Sequence, residues 1–367
     1  MESNSILKKS LLLIPDISGF TKFINETEII HGVHIISELL EIIIKNNSIG
    51  LKVAEIEGDA VLFYKHTNSR PTLNEIYEQC KKMFLAFHEH IKRYERDRIC
   101  NCGSCSNTPE LTLKFIVHYG EVIERNILGH FQLMGADVTT AHKLMKNNIS
   151  ENEYILISEN SISEAEHSIL PEWFKLQESY SENQDIGKAN YHYEKLTPLL
   201  SEVPEIEPRK KSINTPVQLI IEREFNYDKL AVFNLVSSLE RKHEWVVGVK
   251  EVVFDKEKIE RVGTQHDCIT SINTLHIESI MNDTSEDNFI YAESVEASGI
   301  FPASQHVFTV KEISPESCLL LIEIHFKPSS FNNLIFKKIL GSSLNKALDK
   351  LTTVLESDAT NIVSDPT

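Results

Sequence analysis

A stretch rich in proline and charge divides the chain into two regions that can fold separately. It reads PLLSEVPEIEPRKKSINTP over residues 198–216 and contains four prolines. Proline removes a backbone donor and fixes φ, so such a stretch is typical of a linker. The chain of 367 residues is also longer than a single hydrophobic core usually supports. We therefore expect two domains, at 1–200 and 215–358, with a linker at 201–214 and a flexible tail at 359–367.

The composition is that of a globular protein with an acidic surface. Hydrophobic residues make up 41% of the chain, charged residues make up 25%, and the formal net charge is -17. Because binding to nucleic acid requires clustered lysine and arginine, this charge argues against a nucleic-acid partner. The longest apolar runs are far shorter than the roughly 20 residues of a membrane helix, and no signal-peptide pattern precedes them. We expect a cytoplasmic protein without a membrane span.

Hydrophobic periodicity in the first half alternates between strand and helix patterns. Apolar runs with strand character occur at 9–15, in LKVAEIEGDAVLFY from residue 51 and in LTLKFIVHYGEV from residue 111. Apolar residues at helical spacing occur between these runs, at 33–43 and at 72–95. The order strand, helix, hairpin, helix, strand is close to the ferredoxin-like plan. It predicts an α+β domain.

Two aspartates follow strand patterns at positions where they can converge. Asp16 ends the first strand just before ISGF opens a helix, and Asp59 lies in the turn of EIEGDAVLF. Two carboxylates beside the backbone N–H groups of a helix start suit a metal-bound phosphate, with Mg²⁺ or Mn²⁺ as the expected ion. Each aspartate alone also has an ordinary interpretation, as a helix N-cap or as a turn residue.

Four ordered motifs in the first half resemble the class III adenylyl and guanylyl cyclases. They are IPDISGFTKF at 14–23, EIEGDAVLF at 55–63, VHYGEV at 117–122 and LMGADVTTAHKLM at 133–145. The first two resemble the metal-aspartate motifs of that family and place Asp16 and Asp59 at the ligand positions. The resemblance implies a ferredoxin-like cyclase-homology domain and a purine nucleoside triphosphate as partner. It also implies a head-to-tail homodimer whose sites combine residues of two chains.

The same resemblance implies positions that contact the nucleotide. Glu55 and Gln132 occupy the base-reading positions, where a glutamate favours guanine and an amide discriminates weakly between purines. The turn after the first strand is the expected phosphate-binding segment, with Gly19, Phe20 and Thr21.

Two positions depart from the family pattern. Thr139 stands where the family has a ribose-orienting asparagine, and Lys143 stands where it has the arginine that stabilises the transition state. Lysine keeps the charge of arginine but loses its planar pair of donors, and threonine loses the amide of asparagine. The resemblance therefore leaves three outcomes open: slow turnover, nucleotide binding without turnover, or a dimerisation scaffold.

Three of the six cysteines crowd into the insertion RICNCGSCSNTPE, at Cys100, Cys102 and Cys105. Thiolates at this spacing can share a structural Zn²⁺, with a fourth ligand from His88, His90 or elsewhere. The sequence offers only one Cys-x-x-Cys pair, and an exposed loop with free, reduced thiols is the alternative. The histidines fit no nucleophile or metalloprotease motif, so we expect them, His118 included, to be structural.

The second half resembles the START-like helix-grip superfamily (SRPBCC), also called the polyketide cyclase and dehydrase-like group. The resemblance is carried by the pattern of 217–254, by VGTQHDCI and ASQHVFTVKEI, and by a closing helix at 331–355. It implies an apolar cavity under that helix and a hydrophobic small molecule as ligand. The candidate lining residues, for which ordinary core packing is the alternative, are Trp245, Phe301, Phe308 and Phe326.

The sequence therefore predicts an α+β protein. The two resemblances imply a cyclase-homology domain followed by a START-like domain, and the chain resembles a bacterial family of uncharacterised proteins. The expected function is metal-dependent purine nucleotide binding, with nucleotide cyclase activity on GTP or ATP left open, coupled to a hydrophobic ligand of the second domain. The alternative is an inactive carrier of a hydrophobic ligand that uses the cyclase-like domain as a dimerisation scaffold.

Overall fold

The chain divides into two compact units. Unit 1 comprises 1–93 and 107–206, and unit 2 comprises 94–106 and 207–367. The short segment with the three clustered cysteines thus groups with unit 2, although the sequence placed it as an insertion in the first domain. A computed structural model describes residues 7–20, 23, 29–161, 170–183, 187–207, 213, 215–256, 258–285, 288–298, 302–328 and 332–364.

Unit 1 is an α+β fold built on one mixed sheet. Its helices are α1 (Ile29–Lys45), α2 (Leu73–Asp97), whose last turn belongs to unit 2, and α4 (Ala136–Leu144). Its strands are β1 (Lys8–Ser18), β2 (Lys52–Glu57), β3 (Ala60–His66), β4 (Thr112–Ile127), β5 (His130–Met134), β6 (Tyr154–Ser158), β7 (Gln177–Asn183) and β8 (Gly187–Lys195). They are ordered β2-β3-β1-β4-β6-β8-β7, and β5 pairs with the end of β4.

The central strand β1 explains why this sheet forms around the first apolar run. It pairs antiparallel with both β3 and β4, and its residues from Ser10 to Ile17 are buried. Pro15 has no N–H, and the pairing with β3 lapses at Ile14 and Pro15 before it resumes at Asp16. The pairing of β1 with β3 is therefore interrupted immediately before the aspartate, while its pairing with β4 continues.

Helices α1 and α2 follow the predicted periodicity with one exception. Thr72 and Glu75 form a reciprocal capping box at the start of α2, with bonds of 3.0 and 3.1 Å between backbone N–H groups and side-chain oxygens. In α1 the buried face contains Ile36, Leu40 and Ile43, whereas Val33 is 51% exposed. The apolar spacing in the sequence thus predicted that Val33 is buried, and this prediction was wrong.

Unit 2 is an antiparallel sheet with a long C-terminal helix, which agrees with the predicted helix-grip arrangement. Its helices are α3 (Gly103–Asn107), α5 (Lys229–Ser237), α6 (Lys242–Trp245) and α7 (Asn332–Ser364). Its strands are β9 (Val217–Phe225), β10 (Val249–Val253), β11 (Gln265–Thr270), β12 (Thr274–Thr284), β13 (Asn288–Val295), β14 (Ser304–Ser314) and β15 (Ser317–Phe326). They are ordered β10-β11-β12-β13-β14-β15-β9.

The core of unit 2 lies between the sheet and its helices. Asp228 caps α5 by accepting bonds from the backbone N–H groups of Leu230 and Ala231. One apolar cluster joins side chains of α5, α6 and α7 to those of β9, β14 and β15. Helix α7 continues to Ser364, so it includes 359–364, where the sequence predicted a tail. Among the described residues, we find no helix that combines the length and the apolar character needed to cross a membrane.

Candidate functional site

Asp16 and Asp59 are brought together by the pairing of β1 with β3. Asp16 lies opposite Ala60 in register, so the turn that carries Asp59 is adjacent to it. The backbone N–H of Ile17 donates to the carbonyl oxygen of Asp59 at 3.0 Å. Gly58 has a φ of +61°, a conformation that glycine adopts without the steric cost of a side chain. The turn geometry thus fixes both carboxylates at one end of the central strands.

The electrostatics of this carboxylate pair favour a cation. Asp16 is only 6% exposed, and the Nζ of Lys114, which lies opposite it on β4, is 3.2 Å from its Oδ2. Burial, together with the negative charge of Asp16, raises the pKa of Asp59 to about 6, although a backbone hydrogen bond and Lys114 act in the opposite direction. A single lysine does not neutralise two carboxylates, so the carboxylates still repel each other. Hard divalent cations prefer such oxygen donors.

The other nucleotide-contact candidates lie on the elements around this pair. Gly19, with a φ of +92°, and Phe20 follow β1 directly, whereas Thr21 lies outside the described residues. Glu55 is exposed on β2 beside a β-bulge, and Gln132 is exposed on β5 opposite Arg125. Strands β2 and β5 approach each other, so Glu55 and Gln132 belong to neighbouring strands.

Thr139 and Lys143 lie on the outward face of α4. They are four residues apart and share one side of the helix, while Val138, Ala141 and Leu144 form the buried side. The hydroxyl of Thr139 is 3.4 Å from the carbonyl oxygen of Gly135, one turn earlier. The packing of α4 thus directs the positions of Thr139 and Lys143 away from the core of unit 1.

A hydrogen-bond network fixes the start of α4 to the sheet. The buried ring of His118 has Nδ1 at 2.7 Å from Ser158 Oγ and Nε2 at 3.0 Å from Asp137 Oδ1. The second carboxylate oxygen of Asp137 accepts the backbone N–H of Glu121 at 2.6 Å. His118 therefore has the structural setting that the sequence predicted, whereas the role of Asp137 was not predicted. The signal in the sequence was the position of Asp137, which is the second residue of a helix that follows Gly135.

Gly120 is the point where this network leaves no room for a side chain. A methyl group there would lie 2.1 Å from Cγ of Asp137. We expect Gly120→Ala to lower the free energy of unfolding of unit 1 by about 2 kcal/mol, because Asp137 must move and release its partners. Denaturant unfolding followed by the fluorescence of Trp173, in a Trp245→Phe background, measures the change.

Gly129→Ala is the matched control for this substitution. Gly129 has nothing within 4 Å of the added methyl group but has a φ of +92°, so we expect a loss of about 1 kcal/mol from backbone strain alone. A loss for Gly120→Ala that does not exceed the loss for Gly129→Ala would contradict the steric argument.

The described candidate lining residues of unit 2 pack as core side chains. Trp245, Phe308 and Phe326 are each at most 2% exposed. The rings of Trp245 and Phe308 lie 6.4 Å apart, and the ring of Phe326 lies 5.1 Å from that of Phe336. Phe301 lies outside the described residues. A surface cavity of about 440 Å³ in unit 2 is lined instead by other residues, among them Pro302, Ala303, Gln305 and His325.

Unit 2 contains a buried charged cluster that the sequence analysis did not predict. Lys242 of α6 forms an ion pair with Glu293 of β13, and its Nζ donates to Nε2 of His266 at 3.2 Å. The hydroxyl of Tyr291 is 3.4 Å from the same carboxylate of Glu293. All four residues are less than 5% exposed. The signal in the sequence was the position of Glu293, which lies two residues after Tyr291 and so faces the same inward side of the strand.

The clustered cysteines lie together, whereas the two histidines named with them are engaged elsewhere. The sulfurs of Cys100, Cys102 and Cys105 are within 4.8 Å of one another. In unit 1, Nε2 of His88 is 2.8 Å from a carboxylate oxygen of Glu153. Nε2 of His90 is likewise 3.1 Å from a carboxylate oxygen of Glu38. The Nε2 atom of each histidine therefore contacts a carboxylate of unit 1.

Sequence comparisons match part of this chain to a family and to a relative that are both described without a function. Residues 36–154 match the family described as protein of unknown function (DUF2652). An uncharacterized protein of Mycobacterium tuberculosis is 27% identical over 172 residues, which cover 47% of this chain and 77% of that protein.

The solved structures similar to this chain include the catalytic core of a cyclase and a START superfamily protein. The catalytic core of a rhodopsin-guanylyl cyclase with converted specificity, in complex with ATPαS, is 19% identical. The match covers 51% of this chain and 95% of that chain, with a TM-score of 0.36. A START superfamily protein from Mycobacterium smegmatis is 15% identical over 38% of this chain and 97% of that chain, with a TM-score of 0.30.

Proposed function

We propose that unit 1 binds a purine nucleoside triphosphate together with Mg²⁺ or Mn²⁺ held by Asp16 and Asp59. The convergence of the two carboxylates at the end of β1 carries this proposal, because the register and the Ile17–Asp59 hydrogen bond fix them as neighbours. Two carboxylates that repel each other form a donor set that suits a hard divalent cation. A bound divalent ion supplies positive charge to the triphosphate and activates a hydroxyl group for attack on phosphorus.

The remaining contacts of the nucleotide are proposed from the elements around the carboxylates. In this proposal the backbone of Gly19 and Phe20, which follow β1, contacts the phosphate oxygens. Glu55 and Gln132 are exposed polar side chains on neighbouring strands and supply the hydrogen bonds to the purine edge. A carboxylate at Glu55 accepts bonds from the N–H groups of guanine, so we propose GTP ahead of ATP.

Turnover depends on residues that face away from the core of unit 1. Thr139 and Lys143 lie on the outward side of α4, which supports a homodimer in which each chain presents these residues to the site of the other. A lysine supplies charge but not the bidentate geometry of arginine. We therefore propose binding as the principal function and cyclisation of the nucleotide as a slow accompanying activity.

The second candidate function is carriage of a hydrophobic molecule by unit 2. The core packing of Trp245, Phe308 and Phe326 does not favour it, because these side chains fill the space that the resemblance assigned to a ligand. We therefore place the function of the chain in unit 1.

Thermal unfolding with GTP or ATP, in the presence and absence of Mn²⁺, tests the proposal. We expect a metal-dependent stabilisation of about 2.7 kcal/mol at a hundredfold excess of nucleotide over its dissociation constant. Asp16→Asn and Asp59→Asn should each abolish this increment, while mass spectrometry of the same mixtures detects any cyclic product.

Glu41→Gln is the control for the loss of one negative charge in unit 1. Glu41 is exposed on α1 and pairs with Lys45 at 2.6 Å, so its substitution should leave the nucleotide-dependent increment intact. Absence of a metal-dependent increment with both purine nucleotides would overturn the proposal. Equal increments in the wild type and in Asp59→Asn would overturn the assignment of the metal ligands.

A further inference from the structure

The segment that connects α2 to α3 gathers three cysteine side chains into one cluster. Cys102 and Cys105 are buried, Cys100 is partly exposed, and the three sulfurs lie within 4.8 Å of one another. None of these three cysteines forms a disulfide, although the distances between their sulfurs would permit pairing after a small movement. A buried group of three unoxidised thiols is a set of donors that suits a soft or borderline metal ion.

The local chain geometry holds the cysteines in this arrangement. The guanidinium of Arg98 donates to the carbonyl oxygen of Cys100 at 3.2 Å and to Oδ1 of Asn101 at 2.8 Å. The short helix α3 begins at Gly103 and carries Cys105 back toward the other two cysteines. Hydrogen bonds within the segment therefore hold the loop that carries the three thiols.

Hydrogen-bond donors already point at two of the sulfurs. The hydroxyl of Tyr94 donates to Sγ of Cys105 at 2.9 Å, and the backbone N–H of Cys102 lies 3.4 Å from Sγ of Cys100. Donors of this kind stabilise metal-bound thiolates, which carry more negative charge than thiols. Tetrahedral zinc with Zn–S bonds of about 2.3 Å holds its sulfurs about 3.8 Å apart, which is compatible with the observed cluster.

We propose that Cys100, Cys102 and Cys105 bind one Zn²⁺ ion as a structural site of unit 2. Binding exchanges three S–H bonds for three Zn–S bonds and releases three protons, without any change of oxidation state. The proposal is independent of the nucleotide site in unit 1. Zinc is favoured over Mg²⁺ or Mn²⁺ because thiolates are soft ligands.

The ion would stabilise a segment that belongs to the core of unit 2. Ile99 is fully buried in the apolar cluster under the sheet, and its N–H donates to the carbonyl oxygen of Glu260 at 3.3 Å. Arg98 forms an isolated β-bridge with Arg261, and the N–H of Val262 donates to the carbonyl oxygen of Asp97 at 2.8 Å. A metal at the adjacent cysteines would hold this segment in place.

Metal analysis of the full chain, purified without chelator, tests the proposal. We expect one zinc ion per chain, and its loss when Cys100, Cys102 and Cys105 are all replaced by serine. Cys268→Ala is the matched control, because Cys268 is a buried thiol of unit 2 in a strand, and it should keep the zinc. Removal of zinc from the wild type should lower the melting temperature of unit 2.

Cobalt substitution counts the thiolate ligands directly. The thiolate-to-metal absorption of the Co²⁺ form should fall by about one third in each single Cys→Ser variant, since each removes one of three thiolates. We expect His88→Ala and His90→Ala to leave zinc binding unchanged.

Three results would overturn the zinc site. The first is a chain without zinc whose three thiols react with an alkylating agent at the rate of exposed cysteine. The second is a mass that corresponds to a disulfide among these cysteines after purification under reducing conditions. The third is an unchanged zinc content in the triple serine variant, which would assign the ion to other residues.

Discussion

Lys242→Met is expected to lower the free energy of unfolding of unit 2 by about 3–5 kcal/mol, the largest loss we anticipate for any single substitution. Burial alone would raise the pKa of Glu293, but the positive charge of Lys242 holds this pKa below its usual value. Methionine keeps the length of lysine and removes its charge, so Glu293 would remain buried without a cationic partner. The cost comes from that unpaired charge and not from lost volume.

Denaturant unfolding followed by the fluorescence of Trp245, in a Trp173→Phe background, measures this loss in unit 2. The double variant Lys242→Met with Glu293→Gln should recover most of the stability, because it removes both charges. Arg223→Met breaks the exposed pair with Asp349 and should cost less than about 1 kcal/mol. If Lys242→Met cost no more than Arg223→Met, the buried pair would not have the energetic role argued for it.

The charged cluster also shows why the sequence predicted elements better than side-chain partners. Helix α2 could be predicted because its apolar spacing and its capping box are local features within one or two turns. Lys242 and Glu293 are 51 residues apart and meet only after β13 has paired within the sheet. The alternation of β13 marks Glu293 as an inward-facing residue, but no local pattern identifies Lys242 as its partner.

The carboxylate site illustrates the same limit over shorter distances. Asp16 and Asp59 could be predicted to converge because a strand, a turn and a second strand leave few arrangements. Lys114, which faces Asp16 on β4, was not predicted, since its role depends on the register of two strands that are distant in sequence. A single lysine within the apolar run LTLKFIV was the available signal.

The aromatic residues of unit 2 show what hydrophobic character alone leaves open. Trp245 and Phe308 are large and apolar, which fits both the wall of a cavity and a packed core. The choice depends on whether the opposite space is filled, and here the ring of Tyr291 stacks on Phe308 at 5.9 Å. That neighbour comes from another strand, so its position follows from the topology and not from either residue.

The stability of unit 2 is expected to fall as the pH is lowered from about 6.5 to about 4, because His266 is buried in its neutral form. Burial, followed by the positive charge of Lys242, lowers the pKa of His266 to about 4, although Glu293 opposes this shift. The ammonium of Lys242 can only donate, so Nε2 of His266 accepts and the ring proton resides on Nδ1. Protonation of Nε2 would remove this bond and place two cations side by side.

The sign follows from comparison with the unfolded chain, where histidine titrates near 6.5. Above that pH neither state is protonated and the contribution to stability is fully present. Below it the unfolded state gains a proton that the folded state resists, so stability is lost until the pH reaches about 4. A shift of this size corresponds to about 3 kcal/mol in total.

His266→Gln isolates this contribution, because glutamine retains an acceptor for Lys242 and does not titrate. The difference in unfolding free energy between about pH 7 and about pH 4.5 should shrink by about 2.5 kcal/mol in this variant, as measured by denaturant unfolding at both pH values. His243→Gln, at an exposed position of the same unit, is the control. Removal of the buried imidazole must remove the proton that it takes up on unfolding. An identical pH dependence in His266→Gln and in the wild type would therefore show that another group governs acid unfolding.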